Sequence, residues 1–179
     1  MTKWECHHCG HIFEGERTPA ECPNCHDLLT FWLEASEPDT AKEVRDLLHK
    51  IPIFFGLDER SLGDVAKAFR EATFAGGAVI VKEGERSVSF SILTEGAAEV
   101  RSGPNTVASL RPYQFFGELA ALGIQRRRTA DVVASGQCKC LVAVQPELQR
   151  ILSSHPSIAN HILNEIRSRY QSGDESQSS

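Results

Sequence analysis

Few features of this chain would take it to a membrane or to a nucleic acid. Its 179 residues include one methionine, two tryptophans and two tyrosines, and no apolar run approaches the roughly 20 residues that a spanning helix needs. Lys and Arg number 19 against 24 acidic side chains, a formal net charge of -5 with no basic tail or stripe, so direct nucleic-acid binding is disfavoured. No apolar leader precedes the first cysteines and the start Met1-Thr2-Lys3-Trp4 is polar, which places the thiols in a reducing cytoplasm rather than in a disulfide framework. A nucleophile elbow and paired catalytic carboxylates are also missing, so the chain reads as no enzyme.

What is present begins with four cysteines. Cys6 and Cys9 are followed by Cys22 and Cys25, two Cys-x-x-Cys turns whose spacing lets four sulfurs converge on one ion. A tetrahedron of four sulfurs suits zinc and iron equally well. His7, His8, His11 and His26 are read as turn residues, since four thiolates complete the sphere and leave no position for an activated water. The stretch from Trp4 to Cys25, with Gly10, Gly15, Pro19 and the Cys22-Pro23-Asn24-Cys25 turn, resembles the rubredoxin-like domain of rubrerythrins. That resemblance implies one iron held by Cys6, Cys9, Cys22 and Cys25, cycling between ferric and ferrous states. His26 departs from it, standing where the family has glycine, and a positive φ there costs roughly 1 kcal/mol.

Charge divides the chain. The first fifty residues hold ten acidic and five Lys or Arg side chains and so carry all the net charge, while the remainder balances to zero. We therefore expect a metal-binding head over 1–35, a helical linker over 36–52, a larger domain over 53–170 and a disordered tail over 171–179. Thr40-Ala41-Lys42-Glu43 reads as a capping box, followed by the apolar stripe Val44, Leu47, Leu48 and Ile51. Asp58 precedes a second helix with Leu62, Val65 and Phe69 on its buried side.

From Thr73 the period shortens. Val79-Val81, Phe90-Leu93, Ala98-Val100, Val107-Leu110, Asp131-Ala134 and Cys138-Val144 are expected strands, separated by glycine turns, and many short strands of this kind argue for a barrel or double-sheet jelly roll. Cys138 and Cys140 share one strand face and read as buried apolar residues, not as a second metal site. The expected fold is mainly β with α: a four-cysteine knuckle, then a jelly roll with flanking helices.

The segment Phe115-Phe116-Gly117-Glu118-Leu119-Ala120-Ala121-Leu122-Gly123, then Arg126-Arg127-Arg128-Thr129-Ala130, carries the chemistry. A cyclic phosphate needs a cationic fork and backbone N–H donors; Arg128 supplies the fork, and a short helix opening at Gly117-Glu118-Leu119 presents N–H groups. This segment resembles the phosphate-binding cassette of the cyclic-nucleotide-binding domain, the β-roll of catabolite activator proteins, kinase regulatory subunits and gated channels, over about Ile53 to Tyr170. The resemblance implies that Glu118 accepts from the ribose 2'-hydroxyl, that Arg128 holds the phosphate, and that Thr129 donates to phosphate and touches a syn guanine. Arg126 and Arg127 are second choices for the pocket.

Two further helices are expected, over Pro146–Leu152 and Ser157–Arg169, with Ile158, Ile162 and Ile166 lining one side of the second. No helix-turn-helix segment follows, which removes a DNA-reading output. Two classes of function compete. One is a sensor that binds cyclic AMP or cyclic GMP and signals through its iron-bearing head, a homodimer surface or a redox or regulatory protein partner. The other is a small electron-transfer protein whose roll is a docking scaffold; a zinc knuckle used only for protein contacts is a variant of the first.

Overall fold

The computed structural model describes residues 1–6, 11–26, 32–34, 38–86, 89–122, 124 and 126–174. The head is a three-stranded antiparallel sheet in the order β2-β1-β3, from β1 (Thr2–Cys6), β2 (Ile12–Gly15) and β3 (Trp32–Glu34). Trp4 donates its indole N–H to the Gly15 carbonyl at 3.1 Å, which ties the two ends of the first hairpin.

A helix α1 (Pro38–Leu48) follows, starting two residues before the expected cap at Thr40. Proline at a first helical position has its φ preset and gives up an N–H that would lack a partner there. Val44 and Leu48 from its apolar stripe are buried in the core of the larger body together with Ile51, Ile53 and Phe54. In α2 (Glu59–Ala66), Asp58 caps the helix by accepting from the Ser61 N–H at 2.7 Å, and Leu62 and Val65 are buried. Phe69 lies past the end of α2 and is buried all the same.

The larger body is two four-stranded antiparallel sheets. One runs β4-β11-β6-β9, from β4 (Arg70–Phe74), β11 (Cys138–Val144), β6 (Ser89–Glu95) and β9 (Phe115–Phe116); the other runs β5-β10-β7-β8, from β5 (Val79–Val81), β10 (Asp131–Ala134), β7 (Ala98–Ser102) and β8 (Asn105–Leu110). The period of two sorts the side chains of the first sheet. Phe90, Ile92, Leu141 and Ala143 face the helices, while Leu93, Cys138, Cys140 and Val142 face the second sheet. β6 is consequently buried on both faces, from Ser89 through Thr94. Cys138 and Cys140 are fully buried inside the roll, and burial pushes the Cys140 thiol beyond its ordinary range.

Helices α3 (Glu118–Ala121), α4 (Gln145–Ser154) and α5 (Pro156–Asp174) complete the chain. Leu148, Ile151, Ile158, Ile162 and Ile166 pack with α1 and α2 against the helix-facing side of the first sheet. α5 continues through Asp174, into the stretch expected to be tail; residues 175–179 of that stretch lie outside the described residues.

The expected fold class needs correction. The fold is mixed α/β with antiparallel sheets, and the knuckle of four cysteines is not found: among the described residues three cysteines, Cys6, Cys22 and Cys25, come together, their sulfurs within 4.8 Å of one another. Cys9 falls at 7–10, outside the described residues.

Among the described residues, an ion pair joins head and roll, and strand β3 of the head lies beside β4 of the roll. Glu5, almost fully buried, places Oε2 at 3.2 Å from Arg70 Nε, at the start of β4. Burial raises the Glu5 carboxyl above its ordinary value, Arg70 opposes that shift, and Glu147 of α4 adds to it.

Candidate functional site

Gly117 ends β9 with φ 82°, a conformation open to glycine and strained for other residues. A Cβ here would lie 2.6 Å from the Ser89 carbonyl oxygen and would collide with an Arg128 guanidinium nitrogen. The absent side chain is what lets the arginine come against the backbone. Chain reversal at Gly117 then starts α3, whose first residue is Glu118.

Arg128 is held from both ends. Its N–H donates to the Glu85 carbonyl at 2.8 Å and its carbonyl accepts from the Gly84 N–H at 2.9 Å, which fixes the backbone. Its Nη2 donates to the Ser89 hydroxyl at 2.8 Å and to the Ser89 carbonyl at 3.0 Å. Its Nη1 is buried and has no hydrogen-bond partner among the described residues. Burial pulls the guanidinium down to about 10, against the pull of Glu118 and Glu85, so the group is still a cation at neutral pH. A buried cation with an unmet donor calls for an anion.

These residues border a cavity of about 580 Å³. Its lining mixes polar residues, among them Ser109, Gln114, Glu118, Arg128, Thr129 and Arg169, with apolar ones such as Val81, Val100, Leu110, Phe116 and Val132. Such a lining suits a ligand that carries both a charged group and apolar surface.

The sequence-derived residues divide accordingly. Gly117, Glu118, Arg128 and Thr129 line the cavity. Leu119 does not: its side chain packs on the helical core, and its carbonyl accepts from the Ile124 N–H at 2.8 Å. Of the three arginines, Arg126 and Arg127 are exposed, and Arg127 donates to the Gly84 carbonyl at 2.7 Å on the rim. Two residues escaped the sequence reading. Ser89 sat within a strand and offered no motif, whereas Arg169 follows Ile166 by three residues and so falls on the buried face of α5 already marked by the isoleucines. Arg169 reaches the cavity, places Nη1 at 3.4 Å from Glu118 Oε1, donates to the Phe115 carbonyl at 3.2 Å and lies 4.6 Å from the Phe115 ring centre.

The head carries a second cluster. Cys6 and Cys22 are buried, Cys25 is half-buried, and the Cys6 and Cys25 sulfurs lie 3.8 Å apart. The Cys22 thiol is lowered to about 7: burial resists the shift, and hydrogen bonds from the backbone at Cys25 and Asn24 and from the Cys25 and Cys6 side chains outweigh it. His26 holds φ 58°, the left-handed conformation expected where the resembled family has glycine, with its N–H on the Cys22 carbonyl at 2.9 Å and its ring on Glu21 at 2.8 Å. The four-cysteine iron site is not borne out, because three thiols cluster among the described residues where a closed tetrahedral site needs four. A rubredoxin-type centre therefore does not fit the three thiols brought together among the described residues.

An antiparallel double-sheet roll with a half-buried arginine on its cavity has the features of a ligand-binding module. Residues 71–155 match the family model of the cyclic nucleotide-binding domain, and the cysteine-bearing head falls outside the matched stretch. The chain is 30% identical over 116 residues to cyclic nucleotide-gated channel beta-3 of Mus musculus, covering 62% of this chain and 17% of the channel. It is 28% identical over 109 residues to the cAMP-dependent protein kinase regulatory subunit of Schizosaccharomyces pombe, covering 60% of this chain and 26% of that subunit. The chain thus spans about a quarter or less of the length of these curated relatives. Among solved structures, the regulatory domain of Toxoplasma gondii PKA with cAMP aligns with TM-score 0.63 and 29% identity, covering 74% of this chain and 51% of that one. The second regulatory-subunit domain described as Sp-2Cl-cAMPS bound to PKAR CBD2 aligns with TM-score 0.59 and 26% identity, over 73% of this chain and 94% of that one. These relatives are channel and regulatory polypeptides rather than catalytic ones, in keeping with the expectation of a non-enzymatic chain. Among the described residues no helix is long and apolar enough to cross a membrane.

Proposed function

We propose that this protein is a sensor that binds cyclic AMP or cyclic GMP in the roll, with Arg128 on the cyclic phosphate and the Glu118 carboxylate on the ribose 2'-hydroxyl. Backbone N–H groups at Gly117 and Glu118 border the phosphate, and the Thr129 hydroxyl adds a donor at its edge. Residues 53–170 form the sensing unit in this reading, residues 1–35 the output, and residues 36–52 the connection. The observation that carries the proposal is Arg128 Nη1, a buried cationic donor without a partner among the described residues, on a cavity large enough for a nucleotide. Cyclisation matters to the reading, because a cyclic phosphate bears one negative charge and so matches one guanidinium.

Thermal unfolding in the presence of ligand tests it. Cyclic AMP or cyclic GMP at about 100 times its Kd is expected to raise the midpoint by about 5–10 °C. Adenosine, which lacks the phosphate, is expected to leave the midpoint unchanged. An equal shift by adenosine would mean that the apolar chamber alone binds ligand and that Arg128 does not read an anion.

A further inference from the structure

Arg128 and Cys6 lie in different parts of the chain, yet a short succession of contacts joins them. Arg128 donates to the hydroxyl and carbonyl of Ser89 at 2.8 and 3.0 Å. Ser89 is bonded to Phe90, whose ring meets that of Phe69 edge-on, with centres 6.3 Å apart and planes at 64°. Phe69 is bonded to Arg70, whose Nε lies 3.2 Å from Glu5 Oε2. Glu5 is bonded to Cys6, the first thiol of the cluster. Three non-covalent contacts and three peptide bonds therefore span the molecule from its anion-reading cavity to its cysteines.

Each non-covalent contact is of a kind that transmits displacement. Phe69 and Phe90 are fully buried in close-packed surroundings, where one ring cannot move without the other. Arg70 is anchored beside them by Nη1, which donates to the carbonyls of Lys67 at 2.7 Å and Phe69 at 3.0 Å. The final contact is the adjustable one. The facing Nε and Oε2 atoms are both buried and close, but they do not make an aligned hydrogen bond. Such a pair improves or worsens with a small rotation, and because the two facing atoms are out of water the change is felt.

We propose that the Glu5–Arg70 pair couples the cavity to the cysteine-bearing strand β1, so that anion binding at Arg128 is reported in the head. This rests on the reading of the cavity as a cyclic-nucleotide site. A ligand that occupies Arg128 Nη1 pulls the guanidinium and hence Ser89; the Phe90–Phe69 contact passes that shift to Arg70, and the strand carrying Glu5 and Cys6 settles against the roll. Coupling of this kind is reciprocal, so loosening the pair weakens nucleotide binding by the factor with which nucleotide tightens the head.

Amide hydrogen exchange on the full chain, followed for β1 and for the segments around Ser89 and Arg128 with and without saturating cyclic AMP or cyclic GMP, tests the proposal without depending on the state of the thiols. In the wild type, nucleotide is expected to slow exchange in both places, in β1 on the order of threefold. In Arg70→Met, and independently in the near-isosteric Glu5→Gln, exchange should still slow around Ser89 and Arg128, while the β1 response disappears. A β1 response that persists in both folded variants, or that is absent from the wild type while Ser89 and Arg128 respond, overturns the coupling and leaves the cavity reading standing. No response at Ser89 and Arg128 in the wild type overturns the cavity reading itself, and the coupling with it.

Discussion

Ser89 holds Arg128 by two bonds, from its hydroxyl at 2.8 Å and from its carbonyl at 3.0 Å, and both go to the same guanidinium nitrogen. The other terminal nitrogen has no protein partner among the described residues. Ser89→Ala keeps the carbonyl bond and removes the hydroxyl, so Arg128 loses orientation but keeps its charge. A hydrogen bond to a charged group contributes about 1.5–3 kcal/mol. We expect that loss to appear as a nucleotide affinity about tenfold weaker, measured by equilibrium titration, with the circular dichroism spectrum unchanged.

Gly117 owes its place to the same arginine. Gly117→Ala meets a left-handed φ and a clash with the Ser89 carbonyl and Arg128, whereas Gly77→Ala meets a left-handed φ with nothing within 4 Å. Chemical denaturation should show a loss of about 1 kcal/mol for Gly77→Ala and about 2–4 kcal/mol for Gly117→Ala. Equal losses would mean that close approach to Arg128 is not what the glycine serves.

Glu118 is only slightly exposed and lies 3.4 Å from Arg169. If its carboxylate also accepts from a ribose 2'-hydroxyl, the folded protein should prefer a cyclic nucleotide to its 2'-deoxy analogue by about tenfold or more. Competition binding should find that preference reduced to near parity in Glu118→Ala.

Asp58 gives the fold a pH dependence whose sign is fixed. The Ser61 N–H and hydroxyl hold its carboxyl below the ordinary value of 3.8. A depressed folded value means that the contribution to stability is full above that pH and is lost as pH falls through the lower folded value. Asp58→Ala should therefore lower the urea midpoint at pH 7, and the difference from wild type should shrink toward zero at about pH 2.

Much of this architecture is written in local pattern. The glycines at turns and the short apolar runs Phe90–Leu93 and Cys138–Val144 between them mark strands. Asp58 before Glu59 and the isoleucines of α5 mark helices for equally local reasons. In the cavity, Gly117, Glu118, Arg128 and Thr129 sit close together in sequence within one segment, which made them legible. Ser89 and Arg169 reach the same place from distant elements, and only tertiary packing brings them there. The cysteines show the opposite failure. Spacing described what two turns could offer, and the described head brings three thiols together. Helix α1 is a milder case: Pro38 sets its start by backbone restriction, ahead of the capping signal at Thr40.

The central claim is that the cavity binds a cyclic nucleotide through Arg128, and calorimetric titration of the full chain tests it most directly. With cyclic AMP or cyclic GMP the wild type should show saturable binding at one site per chain, and Arg128→Ala, verified as folded by its circular dichroism, should bind at least about 100-fold more weakly. Absence of saturation by either nucleotide up to about 1 mM in the folded wild type, or wild-type affinity in Arg128→Ala, would contradict it.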